Sequence, residues 1–334
     1  MKKLMALLMA SLMLMGLMTG CGTEENAQKA KVTEEGKAIV NVTAIAGPTG
    51  VGLVDLMQKD ADGAAANEYE FTVVSAPDQA VSAVVNGSAD IAAVPTNLAS
   101  TLYKKTGGKV QVLALNTMGV LHILSNGVEI ASVADLKGQT IYTQGQGANP
   151  EYILKYVLEK NGIDPEKDVK IEFVADNDAL AAAMLNGTAK VAMVPEPKAS
   201  AIMMQNKEIQ RVLNVTDEWD KIGTNDAPLV MGCVIARKDF VENNPEAVKK
   251  FLQEYEASIQ AVQGDVETSA TLCETYGIIP KAPLAKMAIP NCGLVYKAGQ
   301  QMQTYLSGYL HILYGYNPAA IGGQEPGADF YYLG

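Results

Sequence analysis

Histidine, tryptophan and arginine are scarce in this 334-residue chain: two, one and two residues respectively. The histidines, His122 and His311, lie far apart, and the four cysteines (Cys21, Cys233, Cys273 and Cys292) form no Cys-x-x-Cys pair. A zinc centre or a histidine-activated nucleophile therefore has little to build on, and neither a metal site nor a cofactor is expected. Positive charge is short as well. Lys and Arg total 26 against 37 Asp and Glu, a formal net charge of -11. That balance argues against nucleic acid or an anionic membrane face as partner, because binding phosphates needs a basic surface. What is present is ordinary globular material, 48% hydrophobic and 19% charged, in a length that suits about two domains.

The amino terminus reads as an address. Lys2 and Lys3 precede an apolar stretch from Leu4 to Met18, which meets Thr19-Gly20-Cys21. A charged start, a short apolar run and small residues before a cut make residues 1–20 a secretory signal; the run is short for a membrane span. Met18-Thr19-Gly20-Cys21 is similar to a bacterial lipobox, which would make Cys21 the lipidated first residue of an exported chain anchored to the outer face of the cell membrane. Residues 21–36 are polar, without an apolar period, and are expected to be a tether. Of the remaining cysteines, Cys273 and Cys292 are closest in sequence, but spacing alone does not establish a bond.

The chain repeats itself at an offset of one hundred residues. Asn86-Gly87-Ser88-Ala89-Asp90-Ile91-Ala92-Ala93-Val94-Pro95 returns as Asn186-Gly187-Thr188-Ala189-Lys190-Val191-Ala192-Met193-Val194-Pro195. Phe71–Val74 faces Ile171–Val174, Val110–Leu113 faces Gln210–Leu213, and Val40–Ile45 faces the run from Thr140. Each repeat alternates short β-branched runs with helical segments, which implies parallel sheets built from βαβ units. One helix is expected to open at Asn149-Pro150 and stop at Asn161-Gly162; another opens at Asn244-Pro245. Two apolar strands lack a glycine loop after them, Val120–Ser125 and Leu229–Ala236, and are taken as the crossings between lobes. The expected domains are 37–124 with 231–334, a lobe carrying a C-terminal helical extension, and 125–230 as the second lobe. Two open parallel sheets joined this way surround one cleft with their carboxyl-end loops, where such sheets bind ligands.

Four local motifs carry a family resemblance: Asp135-Leu136-Lys137-Gly138-Gln139-Thr140-Ile141, Leu158-Glu159-Lys160-Asn161-Gly162-Ile163-Asp164-Pro165, Asn186 through Pro197, and Ala236–Phe240 with Asn244–Val248. With the layout, they resemble the extracellular solute-binding proteins of ABC importers. More narrowly, they resemble the NMT1/THI5-like and SsuA-like group, which binds nitrate, taurine, alkanesulfonates or thiamine-pyrimidine precursors. The resemblance implies an α/β, two-lobe fold of the periplasmic-binding-protein type II. It also implies a monomer that hands a small-molecule solute to an ABC permease and its ATPase. Two alternatives stand beside it. One is a ligand-sensing module; the other is a pyrimidine-synthase-like enzyme on the same scaffold, which the isolated cysteines and ill-placed histidines disfavour.

The candidate ligand-binding residues follow from the strand ends. Gly47, Pro48, Thr49 and Gly50 form a glycine loop before a helix, where free N–H groups and a positive dipole end attract acceptors. Gln144, Gln146, Gly147 and Asn149 are the counterpart in the second repeat, with amides that both donate and accept. Thr96 and Asn97 bind ligand or cap the helix that follows. Glu196 accepts from a ligand ammonium or is a solvated carboxylate at its helix start. Ser75 adds a wall after the second strand. No arginine or lysine falls in these loops, so a neutral or cationic hydrogen-bonding solute, an aromatic heterocycle among the candidates, is expected, while helix N-termini leave sulfonates possible. Trp219 edges the cleft or packs within its lobe, and His122 is structural.

Overall fold

The computed structural model describes residues 29–334 apart from residue 224; the expected signal segment, residues 1–20, and Cys21 lie outside the described residues. Eleven strands are described: β1 (Ile39–Ile45), β2 (Glu68–Val74), β3 (Ile91–Pro95), β4 (Val110–Thr117), β5 (Leu121–Asn126), β6 (Thr140–Gln144), β7 (Lys170–Val174), β8 (Val191–Pro195), β9 (Ile209–Asn214), β10 (Gly232–Arg237) and β11 (Leu294–Ala298). They form two sheets, ordered β11-β4-β10-β3-β1-β2 and β7-β6-β8-β5-β9. Helices fill the connections between parallel strands, as crossovers require. This is the two-lobe α/β architecture expected from the repeat.

Strand register shows how alike the lobes are. In the first sheet the antiparallel strand β10 sets Gly232 opposite Pro95 and Cys233 opposite Val94. In the second, β5 sets Leu121 opposite Pro195 and His122 opposite Val194. A register shift interrupts β10 against β4 at Val234/Ile235 and recurs in β5 against β9 at Ile123/Leu124. Register also refines the repeat. Ile91 matches Val191 at an offset of 100, but Val42, paired with Ile91, matches Ile141, paired with Val191, at 99. Val110 and Ile209 likewise hold equivalent places opposite Arg237 and Asn126. One-residue differences in the connections absorb the slip, because a slip within a strand would turn its apolar face outward.

Three expectations are corrected. The apolar run Val120–Ser125 is not itself a crossing: β5 lies inside the second sheet, and the chain crosses at Met118–Val120. The run Leu229–Ala236 likewise ends in an inner strand of the first sheet, β10. Residues 29–36 are not a free tether. Val32 bridges Ala38, and the Ala30 N–H donates to Asn244 Oδ1 at 2.8 Å.

The C-terminal extension straddles both lobes. Helix Gly299–Tyr316 packs on β4 and β11 and also on helix Asn149–Lys160 of the second lobe. Trp219 is fully buried, its ring 4.2 Å from that of Tyr156 and 5.9 Å from that of Tyr309, with Nε1–H donating to the Ala227 carbonyl at 2.9 Å. It therefore packs inside the protein and does not edge a cleft. Gly308 is needed here, since a Cβ would lie 2.4 Å from the Asp226 carbonyl oxygen of the returning crossing. Among the described residues, no helix is long and apolar enough to cross a membrane.

Candidate ligand-binding cleft

The connection between β4 and β5 fixes where the cleft is. β4 ends at Thr117 on the carboxyl end of the first sheet, and β5 starts at Leu121 opposite Pro195, on the carboxyl end of the second. The three residues between span at most about 14 Å. The carboxyl ends of the two sheets are thus held together on one side, and the loops after β1, β2, β3, β6, β7 and β8 border the space between lobes.

The two turns after β3 and β8 do the same backbone work. The Thr96 N–H donates to the Met231 carbonyl at 3.1 Å, and the Glu196 N–H to the Val120 carbonyl at 2.9 Å. Each turn seats the opposite crossing segment. Thr96 goes further: its hydroxyl donates to the Val230 carbonyl at 2.8 Å and the residue is fully buried. That hydroxyl is spent on the crossing and is not offered to a ligand. Asn97 beside it is half-buried, and only its carbonyl is engaged, by Thr101.

Glu196 is neither solvated nor open. It is buried, ion-paired with Arg211, and accepts the Ser200 N–H at 3.2 Å. His122 Nε2 lies 3.8 Å from its Oε1 and 3.2 Å from the Asn291 carbonyl oxygen of the other lobe. Burial raises the Glu196 carboxyl above its ordinary value, while Arg211 opposes the rise. Burial, helped by the Arg211 charge, pushes His122 down to about 4, so the ring is neutral and Nε2 is a hydrogen-bond donor to Asn291. No arginine falls in these loops in sequence, yet one reaches them in space. Arg211 comes from β9, fifteen residues downstream of Glu196, where only strand pairing brings it near.

The glycine loops are also partly occupied. Gly47 has φ 118°, its N–H donates to the Ile278 carbonyl at 2.9 Å, and Pro48 opens the short helix Pro48–Val51. The Thr49 carbonyl accepts from Asn116 Nδ2 at 3.1 Å, and Gly50 is buried so tightly that a Cβ would lie 2.7 Å from the Ile45 carbonyl oxygen. In the second lobe Gln146 and Gly147 are exposed and Gln144 half-buried. The Gly147 N–H is taken by Glu151 Oε2 at 2.6 Å and is not open to a ligand. Asn149 is buried; its Nδ2 reaches Tyr309 OH at 3.4 Å, and its Oδ1 has no partner. The helix begins at Asn149 itself, with Ala148 as the cap position and Pro150 second, one residue earlier than expected. Ser75 is exposed, its N–H and hydroxyl both donating to Gln79 Oε1 at 3.1 and 3.3 Å. Glu151, Asp176, Arg211 and Ser200 were missed from sequence. The first two stand at capping distance from a helix start, a signal that was available.

No group of three or more His, Cys, Asp or Glu among the described residues is placed to hold a metal ion. The geometry is that of two equivalent sheets joined by short crossings, with a polar rim of turns. This defines the class, a two-lobe protein of the periplasmic-binding-protein type. Residues 72–267, more than half of the chain, match the NMT1/THI5 like family, and the chain belongs to it. Solved structures share the fold. An ABC transporter protein from Parabacteroides distasonis aligns with TM-score 0.73 at 20% identity over 88% of this chain and 98% of that one. The periplasmic aliphatic sulphonate binding protein SsuA of Escherichia coli aligns with 0.68 at 16% over 88% and 92%. The nitrate-binding protein NrtA of Synechocystis PCC 6803 aligns with 0.56 at 17% over 82% and 76%. A Bacillus subtilis (strain 168) protein named as a binding protein, YtlA, is 25% identical over 178 residues, 52% of this chain and about half of that protein's length (51%).

Proposed function

We propose that this chain is the solute-binding component of an ABC importer and not an enzyme. It closes two lobes around a small polar molecule and passes it to a permease and its ATPase. The observation that supports this most is the pseudo-symmetric pair of sheets with their carboxyl ends held together by a three-residue crossing. Two lobes that touch one ligand stabilise the closed state by their differential contacts, and hinge bending at two short crossings is the motion such a fold allows. Family membership and the named functions of the structural neighbours support the same reading. The solute is taken as neutral or cationic because no arginine or lysine falls in the candidate loops, with Glu196 (paired to Arg211) and the Thr96 hydroxyl no longer among its partners. Asn97, Gln144, Gln146 and Asn149 remain as polar lining, with Thr49 and Ser75 at the rim. Export and anchoring through Cys21 complete the proposal, with the protein working as a monomer on the outer face of the membrane.

The test is a thermal-shift screen of the purified protein against pyrimidines, sulfonates, amino acids and amines. Ligand at a hundredfold its Kd adds about 2.7 kcal/mol, enough for a measurable rise in Tm. A saturable rise with a neutral or amine solute is expected. A protein that responds to no class, and co-purifies with no solute by native mass spectrometry, would sink the reading.

A further inference from the structure

The two lobes meet along two seams on opposite faces of the sheets, and the seams are built differently. On one, helix Gly299–Tyr316 packs on helix Asn149–Lys160. A single buried core runs through it, from Leu115 and Ile235 of the first lobe, by Leu306 and Tyr309, to Tyr156 and Trp219 of the second. On the other, helix Ala282–Ala288 of the first lobe packs on helix Lys198–Gln205 of the second. No core crosses there among the described residues. Behind the first of these helices lies a core confined to residues 40–114 and 234–294, and on the side of the second lies one confined to residues 124–209. Strand alternation sorts the residues between the two sides. In β8, Val191 and Met193 join the shared core, whereas Ala192 and Val194 join that of the second lobe. In β3, Ala92 and Val94 join the shared core, whereas Ile91 and Ala93 join that of the first lobe.

Polar contacts divide the same way. Among the described residues, four side-chain hydrogen bonds join the lobes. Three stand at the first seam: Asn149 Nδ2 donates to Tyr309 OH, Asn317 Nδ2 to Tyr152 OH at 2.7 Å, and Tyr316 OH to Glu159. The fourth, from His122 Nε2 to the Asn291 carbonyl at 3.2 Å, stands at the second seam, where His122 is the cross-strand neighbour of Val194. Beside it Met203 and Met287, one from each lobe and both half-buried, line a cavity of about 480 Å³ with Lys207 and Arg211. A close-packed core resists parting, because separating its rings forfeits their contacts and wets apolar surface. One hydrogen bond beside a cavity exchanges its partner for water at little cost. We infer that the C-terminal helix Gly299–Tyr316 is the fixed pivot of lobe motion, and that the lobes part along the opposite seam, with the His122–Asn291 hydrogen bond as its latch. The inference rests on the solute-binding reading for what the motion serves, and it gives the C-terminal extension a role.

Pulsed electron paramagnetic resonance on spin-label pairs tests this without any solute, in a Cys21→Ser background; the other three cysteines are buried. One pair, Lys190→Cys with Lys281→Cys, spans the second seam. The other, Lys160→Cys with Gln300→Cys, spans the contact of the C-terminal helix; all four sites are exposed. We expect one narrow distance for the helix pair and a broad or two-peaked distribution for the seam pair. The longer part of that distribution should grow about fivefold in His122→Phe, the shift that follows from one lost hydrogen bond. His122→Gln, which keeps an N–H for the Asn291 carbonyl, should hold the wild-type proportion. His122→Leu serves if circular dichroism shows that His122→Phe does not fold. Equal breadth in the two pairs, or a helix pair broader than the seam pair, would overturn the pivot. A seam pair that ignores the loss of the His122 donor would overturn the latch. Failure of the solute-binding reading shows elsewhere, as the absence of any responding solute class in the thermal-shift screen.

Discussion

At the turns after β3 and β8 the two lobes make the same backbone contact with different side chains, and the difference shows what duplication leaves free to vary. Thr96 and Glu196 both seat a crossing segment through their N–H groups. Thr96 adds a neutral hydroxyl bond and needs nothing more. Glu196 adds a buried charge, which then requires Arg211, the Ser200 amide and a neutral His122 around it. His122 itself stands where the first lobe has Cys233, opposite Val194 and Val94 respectively. Ala76 and Asp176 occupy the same cap position, one without and one with a carboxylate. The backbone plan is shared because register and apolar packing fix it; the polar choices diverge because each is satisfied locally.

Four experiments break or sharpen that comparison. Trp219→Ala removes a fully buried ring that packs the second lobe against the C-terminal helix and should cost about 3–5 kcal/mol, read by chemical denaturation. Arg211→Ala leaves Glu196 charged and unpaired in the interior and should cost about 3 kcal/mol. Glu196→Gln in that background should recover part of the loss, which an exposed ion pair would not do.

The His122 ring comes next. Its folded value of about 4 lies below the ordinary 6.5, so the unfolded chain binds the proton first as pH falls. Stability is then full above about pH 6.5 and declines toward pH 4, by about 3 kcal/mol over the whole window. Melting curves between pH 4.5 and 7 should flatten in His122→Gln, which keeps an N–H for the Asn291 carbonyl. An equal slope in the variant would assign the dependence to another group. Cys233, the equivalent position, does not titrate there, because burial pushes its thiol far up.

The smallest effect is at the caps. Asp176→Ala should cost about 1 kcal/mol by melting, whereas Gln79→Ala, which loses an exposed carboxamide bridging Ser75 and Ala76, should cost about half of that or less.

Much of this was legible in sequence. The repeat at Asn86–Pro95 and Asn186–Pro195 announced two equivalent α/β lobes, and the glycine and proline signals placed helix starts to within a residue or two. The site was legible only in outline. Val120–Ser125 looked like a crossing because a buried inner strand and a hinge strand are both continuous apolar runs. Glu196 looked open because its partner, Arg211, sits on another strand.

The chain's own residues determined the two βαβ lobes, their strand faces and their helix caps, because periodicity and capping are contacts between near neighbours. Only the tertiary structure decided that Thr96 is spent on Val230, that Glu196 belongs to Arg211 and His122, and that the C-terminal helix joins both lobes. Those outcomes depend on which strands lie side by side, and burial there converts a distant pairing into a requirement of charge and hydrogen bonding.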